Sequence, residues 1–390
     1  MSTLEDKLKR LSTENAAYRP QEPAEAPARA AVCLREVTEV ALEEAGDGLL
    51  GSVTADTVRL ISRGGDFEDW DIARAAFVDT ETTGLAGGSG TVAFLIGIGY
   101  VRGDRFVVEQ YFMEDYDVEH DMLERIHRQL AGFDYLVSFN GKTFDVPLLA
   151  SRAVLNRIRA PLDDMEQVDL LHAARRIYRR RLKKCDLQSL EREVLGRQRP
   201  GDIPGALVPM MFFDYLKTGD FAPMRLVLEH NRVDIVSLLT LLCHLCHAVA
   251  DPAGLRHAED QHSCARLQQS MGLLAQAEHS YQLAARGSDA PLRDLSLLYK
   301  RQGRHMEAAH LWETMLASGS FGLFPCEELA KHHEHRTGRL DLALQAVDQC
   351  LSLAGGLGLR PEDDQVSALM RRRARLTRKM DANAGNGGPA

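Results

Sequence analysis

The sequence FVDTETTGLAGGSGT, residues 77–91, joins the end of an apolar segment to a glycine-rich stretch. Asp79 and Glu81 stand two positions apart in it. Side chains at i and i+2 of a strand point to the same face, so a strand here would hold both carboxylates close together. Carboxylates at short range disfavour each other's ionised forms. The pair therefore predicts a positive charge nearby.

Alternating strand and helix patterns extend outward from this segment. Strands are predicted at residues 75–79, 91–101, 105–113 and 134–140, and helices at 119–133 and 144–158. Residues 165–225 are predicted to be mostly helical, with a loop at RQRPGDIPGALVP, and residues 223–250 to form one or two long helices. Three strands, a helix, a strand and a helix indicate an α/β domain with helices flanking a mixed sheet.

After residue 255 the pattern changes to helical hairpins. Three segments share a glycine, a small alanine five positions later and a larger residue four positions after that. They resemble tetratricopeptide repeats, whose period is 34 residues, although an unrelated helical bundle is an alternative. Such repeats stack into a curved surface that commonly binds a partner protein. The positions are Gly272, Ala277, Tyr281; Gly303, Ala308, Trp312; and Gly338, Ala343, Val347.

The composition and patterns predict five regions. Residues 1–30 are read as a disordered arm, 31–74 as a small lead-in and 75–250 as the α/β domain. Residues 255–380 hold the all-α repeats, and 381–390 a disordered tail. No run of about 18 apolar residues is recognised, so no membrane partner is expected. Seven cysteines without framework spacing, and no secretory leader pattern, predict a cytoplasmic protein.

The formal net charge of −9 argues against a generally basic nucleic-acid-binding surface. The run RRIYRRRLKK, residues 175–184, is a local exception with seven Arg or Lys in ten. Such a run is often a solvated helix face. With Tyr178 inside it, the run could instead hold phosphates.

Two further acids complete a possible cage with Asp79 and Glu81. Asp145 follows a predicted strand at the start of a helix, and Asp234 lies one helical turn after His230. In an α/β sheet, acids from such positions can converge at one strand end. Carboxylate oxygens suit Mg²⁺ or Mn²⁺, and two such ions can clamp a phosphodiester.

The segments DTETTG, FNGKTFDVPLL and HNRVD resemble, in this order, the three motifs of the DEDD superfamily of 3′–5′ exonucleases, which has a ribonuclease H-like fold. With LEREVLGRQRPGDIPG and the repeats, the chain resembles the bacterial YprB-like group of that superfamily. The resemblance covers residues 70–250 and the repeats. It implies that Asp79, Glu81, Asp145 and Asp234 are the ligands of two metal ions.

The general base in that superfamily is a Tyr four residues, or a His five residues, before the last Asp. Here His230 stands four before Asp234, in the Tyr position, and Glu229 fills the other position. An imidazole can deprotonate water near neutral pH. One position along a helix is a rotation of about 100°, so the reach of His230 is left open.

Nearby polar residues are candidates for substrate binding. Thr82, Thr83 and Leu85 follow the acidic pair and could line the terminal nucleotide. Asn140 could meet the scissile strand or cap the turn at Gly141, and Lys142 could contact phosphate or be a solvated loop residue.

The segment CHLCH, residues 243–247, matches a haem-attachment pattern and also half of a zinc site. On a leucine-rich helix, simple packing of Cys243 and Cys246 is the favoured interpretation.

The sequence thus predicts a metal-dependent nuclease, a 3′–5′ exonuclease that acts on DNA or RNA by a two-metal mechanism. The expected partners are a single-stranded 3′ end and a protein bound by the repeats. The alternatives are a non-catalytic nucleic-acid-binding or scaffold protein, and a structure-selective endonuclease that uses the same residues.

Overall fold

The structure, a computed structural model, describes residues 32–84, 90–159 and 162–385. The chain divides into two compact units, with the boundary after Ala250. The predicted arm at residues 1–30 lies outside the described residues, as do residues 386–390 of the predicted tail. Residues 381–385 of that predicted tail continue the last helix.

The first unit contains a mixed six-stranded sheet in the order β1-β4-β3-β2-β5-β6. Strand β2 runs parallel to β5, and β5 parallel to β6, while the other neighbours are antiparallel. The strands are β1 (Cys33–Ala41), β2 (Ala75–Thr82), β3 (Ala93–Arg102), β4 (Arg105–Met113), β5 (Tyr135–Ser138) and β6 (Glu166–Asp169). The predicted mixed α/β sheet is present and has the order expected of a ribonuclease H-like fold.

Two of these strands were not predicted. Strand β1 falls in the expected lead-in, and its sequence CLREVTEVA mixes charged and apolar residues because it pairs only with β4, at the sheet edge. Strand β6 spans only four residues, EQVD, inside a segment predicted to be helical. Short edge strands carry little periodic signal, so pairing with a neighbour reveals them where the pattern does not.

Helices cover both faces of the sheet. Phe94 stacks on Phe212 of a helix on one face, with ring centroids 4.0 Å apart. On the opposite face, the glycines of β3 lie against the longest helix. The helices of this unit are α1 (Leu42–Ala45), α2 (Ala55–Ser62), α3 (Glu119–Leu130), α4 (Asp145–Leu155), α5 (Leu170–Tyr178), α6 (Leu187–Leu190), α7 (Val208–Thr218) and α8 (Ala222–Ala250).

Helix α8 is long and apolar enough to cross a membrane by length and composition, which the sequence prediction overlooked. Within its most apolar window, 67% is buried inside the protein. The helix packs against β2, β3 and β4 and carries His230 and Asp234. Its apolar surface is therefore used by the core of the first unit.

The second unit is all-helical among its described residues. Each of the three predicted glycines lies between two helices at positive φ: Gly272 at 79°, Gly303 at 77° and Gly338 at 69°. The alanines that follow, Ala277, Ala308 and Ala343, are fully buried. The helices are α9 (Ala258–Ser270), α10 (Leu274–Ala284), α11 (Ala290–Arg301), α12 (His305–Ser318), α13 (Phe324–His332), α14 (Leu340–Gly356) and α15 (Asp364–Gly385).

The hairpin pattern has a packing basis. A small residue at each repeated alanine lets the paired helices approach, and Tyr281, Trp312 and Val347 fill the space beside it. Cys326 of α13 and Cys350 of α14 form a disulfide, which their spacing in the sequence did not predict. The all-α character of this region is confirmed, while its assignment to tetratricopeptide repeats stays a prediction.

Candidate metal centre

Strand β2 places Asp79 and Glu81 on the face covered by α8. Asp79 pairs with Gly97 of β3, and Glu81 with Leu95. A Cβ atom added to Gly97 would lie 2.3 Å from Oδ1 of Asn231 on α8. Gly97 thus lets the helix come within hydrogen-bonding reach of the strand beside Asp79.

Asn231 uses that close approach to hold Asp79. Its Nδ2 donates to Oδ2 of Asp79 at 2.9 Å and to the Asp79 carbonyl oxygen at 3.3 Å. Gln110 of β4 in turn donates to Oδ1 of Asn231 at 2.9 Å and to the carbonyl oxygen of Leu228 at 2.8 Å. Two buried amides therefore fix the carboxylate orientation from behind.

Asp145 begins α4, after the turn that follows β5. The Thr80 hydroxyl on β2 donates to its Oδ1. The turn itself is held by Asp169 at the end of β6, whose carboxylate accepts from the backbone N–H of Asn140 at 2.9 Å and of Leu171 at 3.1 Å. The parallel strands β2, β5 and β6 thus end at one place, where Asp145 reaches the acids of β2.

His230 and Asp234 lie on the same face of α8 because four residues make about one helical turn. His230 Nε2 is 3.5 Å from Oδ2 of Asp234 and 3.7 Å from Oε1 of Glu81. His230 thus reaches two of the acids, and its role as general base stays a prediction. One ligand atom each from Glu81, His230 and Asp234 lies within 4.8 Å of the other two.

Burial and mutual repulsion disfavour the ionised forms of the carboxylates in the cage. Burial, followed by the charges of the other three carboxylates, raises the pKa of Asp79 well above its ordinary value. Burial also raises the pKa of Glu81 to about 8, against the opposing effect of His230. It raises the pKa of Asp145 to about 6, although the Thr80 hydroxyl opposes it. The predicted like-charge conflict is present in the structure.

His230 is held in a defined orientation by a carboxylate that the sequence prediction did not include. Its Nδ1 lies 2.7 Å from Oδ1 of Asp202. Burial disfavours the imidazolium, but this hydrogen bond and the charges of Asp234 and Glu81 outweigh burial and raise the pKa of His230 to about 9. The Nε2 atom faces the acids as a result.

Asp202 belongs to the loop RQRPGDIPG, which also brings Arg199 to the cage. The Arg199 guanidinium lies 2.5 Å from Oδ1 of Asp234 and 3.3 Å from Oδ2 of Asp202, and it also contacts Glu191. Burial raises the pKa of Asp234, while His230 and Arg199 oppose this. The segment that carried the family resemblance therefore contacts both His230 and Asp234. Three charged residues in a glycine- and proline-rich loop, Arg197, Arg199 and Asp202, were the available signal.

The candidate substrate residues have mixed outcomes. The Thr82 hydroxyl donates to the Gly84 carbonyl oxygen at 2.8 Å, and the Thr83 hydroxyl accepts from the Val92 N–H at 3.0 Å, so both brace the rim of the site. Leu85 lies outside the described residues. Asn140 adopts φ 66° and caps the turn with its carbonyl oxygen, and Lys142 is exposed beside it.

Phe144 is a neighbour that the sequence prediction did not single out. It directly precedes Asp145 and is 48% exposed. An exposed aromatic ring beside a phosphodiester site can stack on a nucleobase. Its position one residue before an expected metal ligand was the signal available in the sequence.

Two other sequence features do not join this site. Cys243 and Cys246 are fully buried, and burial raises the pKa of both thiols, which favours their packing role. Tyr178 is 2% exposed with Arg181 over its ring, so its face is not presented to a base. The cations around it include the exposed Arg179 and Arg180.

Comparison with known proteins identifies the class of domain that holds these residues. Residues 76–246 match the model of the RNase_H superfamily, a span that runs from β2 into α8 and includes all four acids. Uncharacterised protein YprB of Bacillus subtilis (strain 168) is 34% identical over 317 residues, covering 78% of this chain and 74% of that protein.

The chain therefore contains a domain of the ribonuclease H superfamily, whose members generally hydrolyse phosphodiester bonds in nucleic acids. Within that class, it belongs to the same family as YprB.

Proposed function

We propose that this protein is a metal-dependent 3′–5′ exonuclease of the DEDD type, acting on single-stranded ends of DNA or RNA. The observation that carries the proposal is the approach of Glu81, His230 and Asp234 to within 4.8 Å, beside Asp79 and Asp145. The three sequence motifs in their order support the 3′–5′ direction.

The residues fit two Mg²⁺ or Mn²⁺ ions. Four buried or half-buried carboxylates supply the hard oxygen donors that such ions prefer. Asp79, Glu81, Asp145 and Asp234 would hold the ions. When bound, such ions supply an activated water and neutralise charge on the leaving oxygen.

The chain's own residues would orient the carboxylates, accept a proton and contact the substrate. Asn231 and Thr80 orient the carboxylates of Asp79 and Asp145. His230, with Nδ1 on Asp202, presents Nε2 to the acids. The charges of Glu81 and Asp234 help to raise its pKa, so its neutral ring would accept the proton of the attacking water once bound cations offset those charges. Lys142 and Phe144 stand exposed at the entrance, where they would contact phosphate and base.

The test compares the wild type with Asp79→Asn on an end-labelled single strand. Digestion is expected with Mn²⁺ or Mg²⁺, none with EDTA, and at least about a 100-fold slower rate in the variant. Asp104→Asn is the matched control, since Asp104 has a 91% exposed side chain in the hairpin turn of the same unit. Equal metal-dependent rates for wild type and Asp79→Asn would overturn the proposal.

The substrate distinguishes an exonuclease from the endonuclease alternative. A 5′-labelled strand should shorten progressively from its 3′ end, and a circular strand should remain intact. Cleavage of the circle would favour the structure-selective endonuclease. Digestion rates of a DNA strand and an RNA strand with the same sequence show whether deoxyribose or ribose is preferred.

A second candidate is a non-catalytic nucleic-acid-binding or scaffold protein. The ion pair between Arg199 and Asp234 favours it, because a cation of the chain already neutralises one of the four acids. Titration of the protein with Mn²⁺, followed by electron paramagnetic resonance, tests this directly. Failure to bind Mn²⁺ at millimolar concentration would favour the scaffold.

We further propose that the hairpins of the second unit are tetratricopeptide-like and bind a protein partner. The buried small residues at Ala277, Ala308 and Ala343 support this. The proposed compartment is the cytoplasm, supported by five free thiols among the seven cysteines, although the Cys326–Cys350 disulfide is of a kind that is rare there.

A further inference from the structure

The second unit contains a polar cavity of about 280 Å³, lined by residues of helices α11, α12, α13 and α15 and of the turn that follows α13. This volume lies below the roughly 300–1,000 Å³ of pockets that enclose a whole drug-sized ligand. It therefore suits a single charged group. The side chains that define its character are Lys300, Lys331, Arg336, Arg372, His332 and Glu328.

Positive charge exceeds negative charge around this cavity. Lys300 and Lys331 share Glu328, with the Nζ atom of Lys331 at 2.7 Å. Arg372 shares the buried Glu334 with two further cations, Arg375 and Lys379. The side chain of Arg336 is exposed and forms no hydrogen bond or ion pair with another residue that the structure describes. Counting Glu327, 4.0 Å from Lys331, and Glu313, whose charge acts on His332, six cations lie near four carboxylates around the cavity.

The floor of the cavity also has unused hydrogen-bonding capacity. His332 is 5% exposed, and its Nδ1 atom has no hydrogen-bond partner among the described residues. A buried polar atom without a partner is uncommon and indicates a missing water or ligand. Together with the cation excess, His332 points to a bound anion.

Helix α15 extends the positive surface away from the cavity. Residues 371–379, RRRARLTRK, hold six Arg or Lys and no acid. Arg371 and Arg378 are exposed and have no acidic partner within the described part of the chain. A lone carboxylate would use the cavity alone, whereas a phosphodiester strand carries repeated charges that can engage both cavity and helix.

We propose that the Arg336 cavity and α15 form a second binding site for the phosphate backbone of a single-stranded nucleic acid. Arg336 supplies a bidentate donor to one phosphate, and the exposed arginines of α15 receive neighbouring phosphates. The inference rests on the proposed function only for the choice of nucleic acid as the ligand class.

The test measures binding of a fluorescein-labelled single strand to the full-length protein by anisotropy in EDTA, where no cleavage can occur. Arg336→Glu should weaken binding about tenfold and reduce the slope of log K against log salt by about 1. Arg360→Glu is the control, because Arg360 is an exposed arginine of the same unit that does not line the cavity. It should bind within about twofold of the wild type. Equal affinities for the two variants would overturn the inference.

Competition separates nucleic acid from an acidic protein partner. Unlabelled strand should displace the labelled one, and poly-glutamate at equal charge concentration should not. Displacement by poly-glutamate with the same dependence on Arg336 would assign the cavity to an acidic peptide and overturn the proposal. A protein that digests no strand but shows the Arg336 dependence would disprove the nuclease function and leave this site standing.

Discussion

His230 and the residues that touch it set the chemistry available in the first unit. Its Nδ1 is bonded to Asp202, and its Nε2 lies between Glu81 and Asp234. A ring anchored at one nitrogen keeps the other in a fixed direction. Asp202 is therefore a positioning residue, and His230 the residue that would meet water.

Substitutions at this pair should be non-additive. His230→Ala should lower kcat about 100-fold or more, as loss of a general base does. Asp202→Asn should lower kcat about 10- to 100-fold at unchanged KM, because the ring loses its orientation. The double variant should be no slower than His230→Ala alone, since both changes remove one function. Single-turnover rates with Mn²⁺ check this, and additive losses would show that Asp202 acts independently of His230.

Substitution of Phe144 tests whether its exposed ring stacks on a base at the entrance of the site. Phe144→Ala should raise KM for a single strand by an amount equivalent to about 1–3 kcal/mol, the loss of one base stack. Phe213→Ala is the matched control, because Phe213 is 39% exposed on α7 of the same unit. Steady-state kinetics on one oligonucleotide measure both variants. An equal KM for the two would mean that Phe144 does not stack on a base.

At the scale of elements, the approach of α8 to β3 decides whether the acids meet. The helix carries Asn231, His230 and Asp234, and it approaches the sheet where β3 has Gly97 and Gly99. A Cβ on Gly97 would meet both Asn231 and Ile235. Cage geometry therefore depends on two residues without side chains.

Gly97→Ala should displace α8 and disturb the cage. Overpacking of this kind costs about 1–3 kcal/mol of stability. Because the first contact is with Asn231, activity and Mn²⁺ affinity should fall together with stability. Gly51→Ala is the control, since a Cβ there meets nothing within 4 Å. Thermal melts and Mn²⁺ titration of both variants check the prediction, and a Gly97→Ala protein with wild-type metal affinity would contradict it.

At the scale of the whole molecule, the two units have separate cores and different charge. Residues 251–390 contain 17 Lys or Arg and 17 Asp or Glu, so the net charge of −9 belongs to residues 1–250. The second unit instead concentrates cations on α15, where Arg372, Arg375 and Lys379 surround Glu334. Glu334 links this last helix to the end of α13.

Acid should destabilise the second unit through Glu334. Burial opposes its ionisation, but hydrogen bonds from Arg375 and Lys379 outweigh burial and lower the pKa of Glu334 to about 2. A lowered pKa contributes stability above the ordinary pKa near 4.5, and this contribution is lost as pH falls toward 2. Glu334→Gln should cost about 1–3 kcal/mol at neutral pH and flatten this acid dependence.

The measurement uses Trp312 fluorescence in a Trp70→Phe background, because the chain has only two tryptophans and Trp312 reports on the second unit. Glu362→Gln, at a 69% exposed position near Arg360, serves as the control. An unchanged acid dependence in Glu334→Gln would assign the effect to another carboxylate.

Much of the first unit could be predicted from local patterns. Apolar periodicity predicts strands such as β4, which contains the sequence FVVEQYFM, and the helices at residues 119–130 and 145–155. The repeat spacing of the hairpin glycines predicts the helical hairpins of the second unit. The edge strands β1 and β6 could not be predicted from local patterns, because their partner strands are distant in the sequence. The apolar composition of α8 is likewise explained only by the tertiary structure, in which the sheet buries much of the helix.

The sequence by itself determined which acids could form a cage: Asp79 and Glu81 by strand periodicity, and Asp145 and Asp234 by their places at a helix start and on a helix face. Only the tertiary structure decided which residues surround these acids. Asn231, Asp202 and Arg199 reach the cage across separations of 28 to 152 residues, through the closeness of α8 to Gly97 and the fold of one loop. Such contacts depend on packing at distances of a few ångströms, and no local periodicity encodes them.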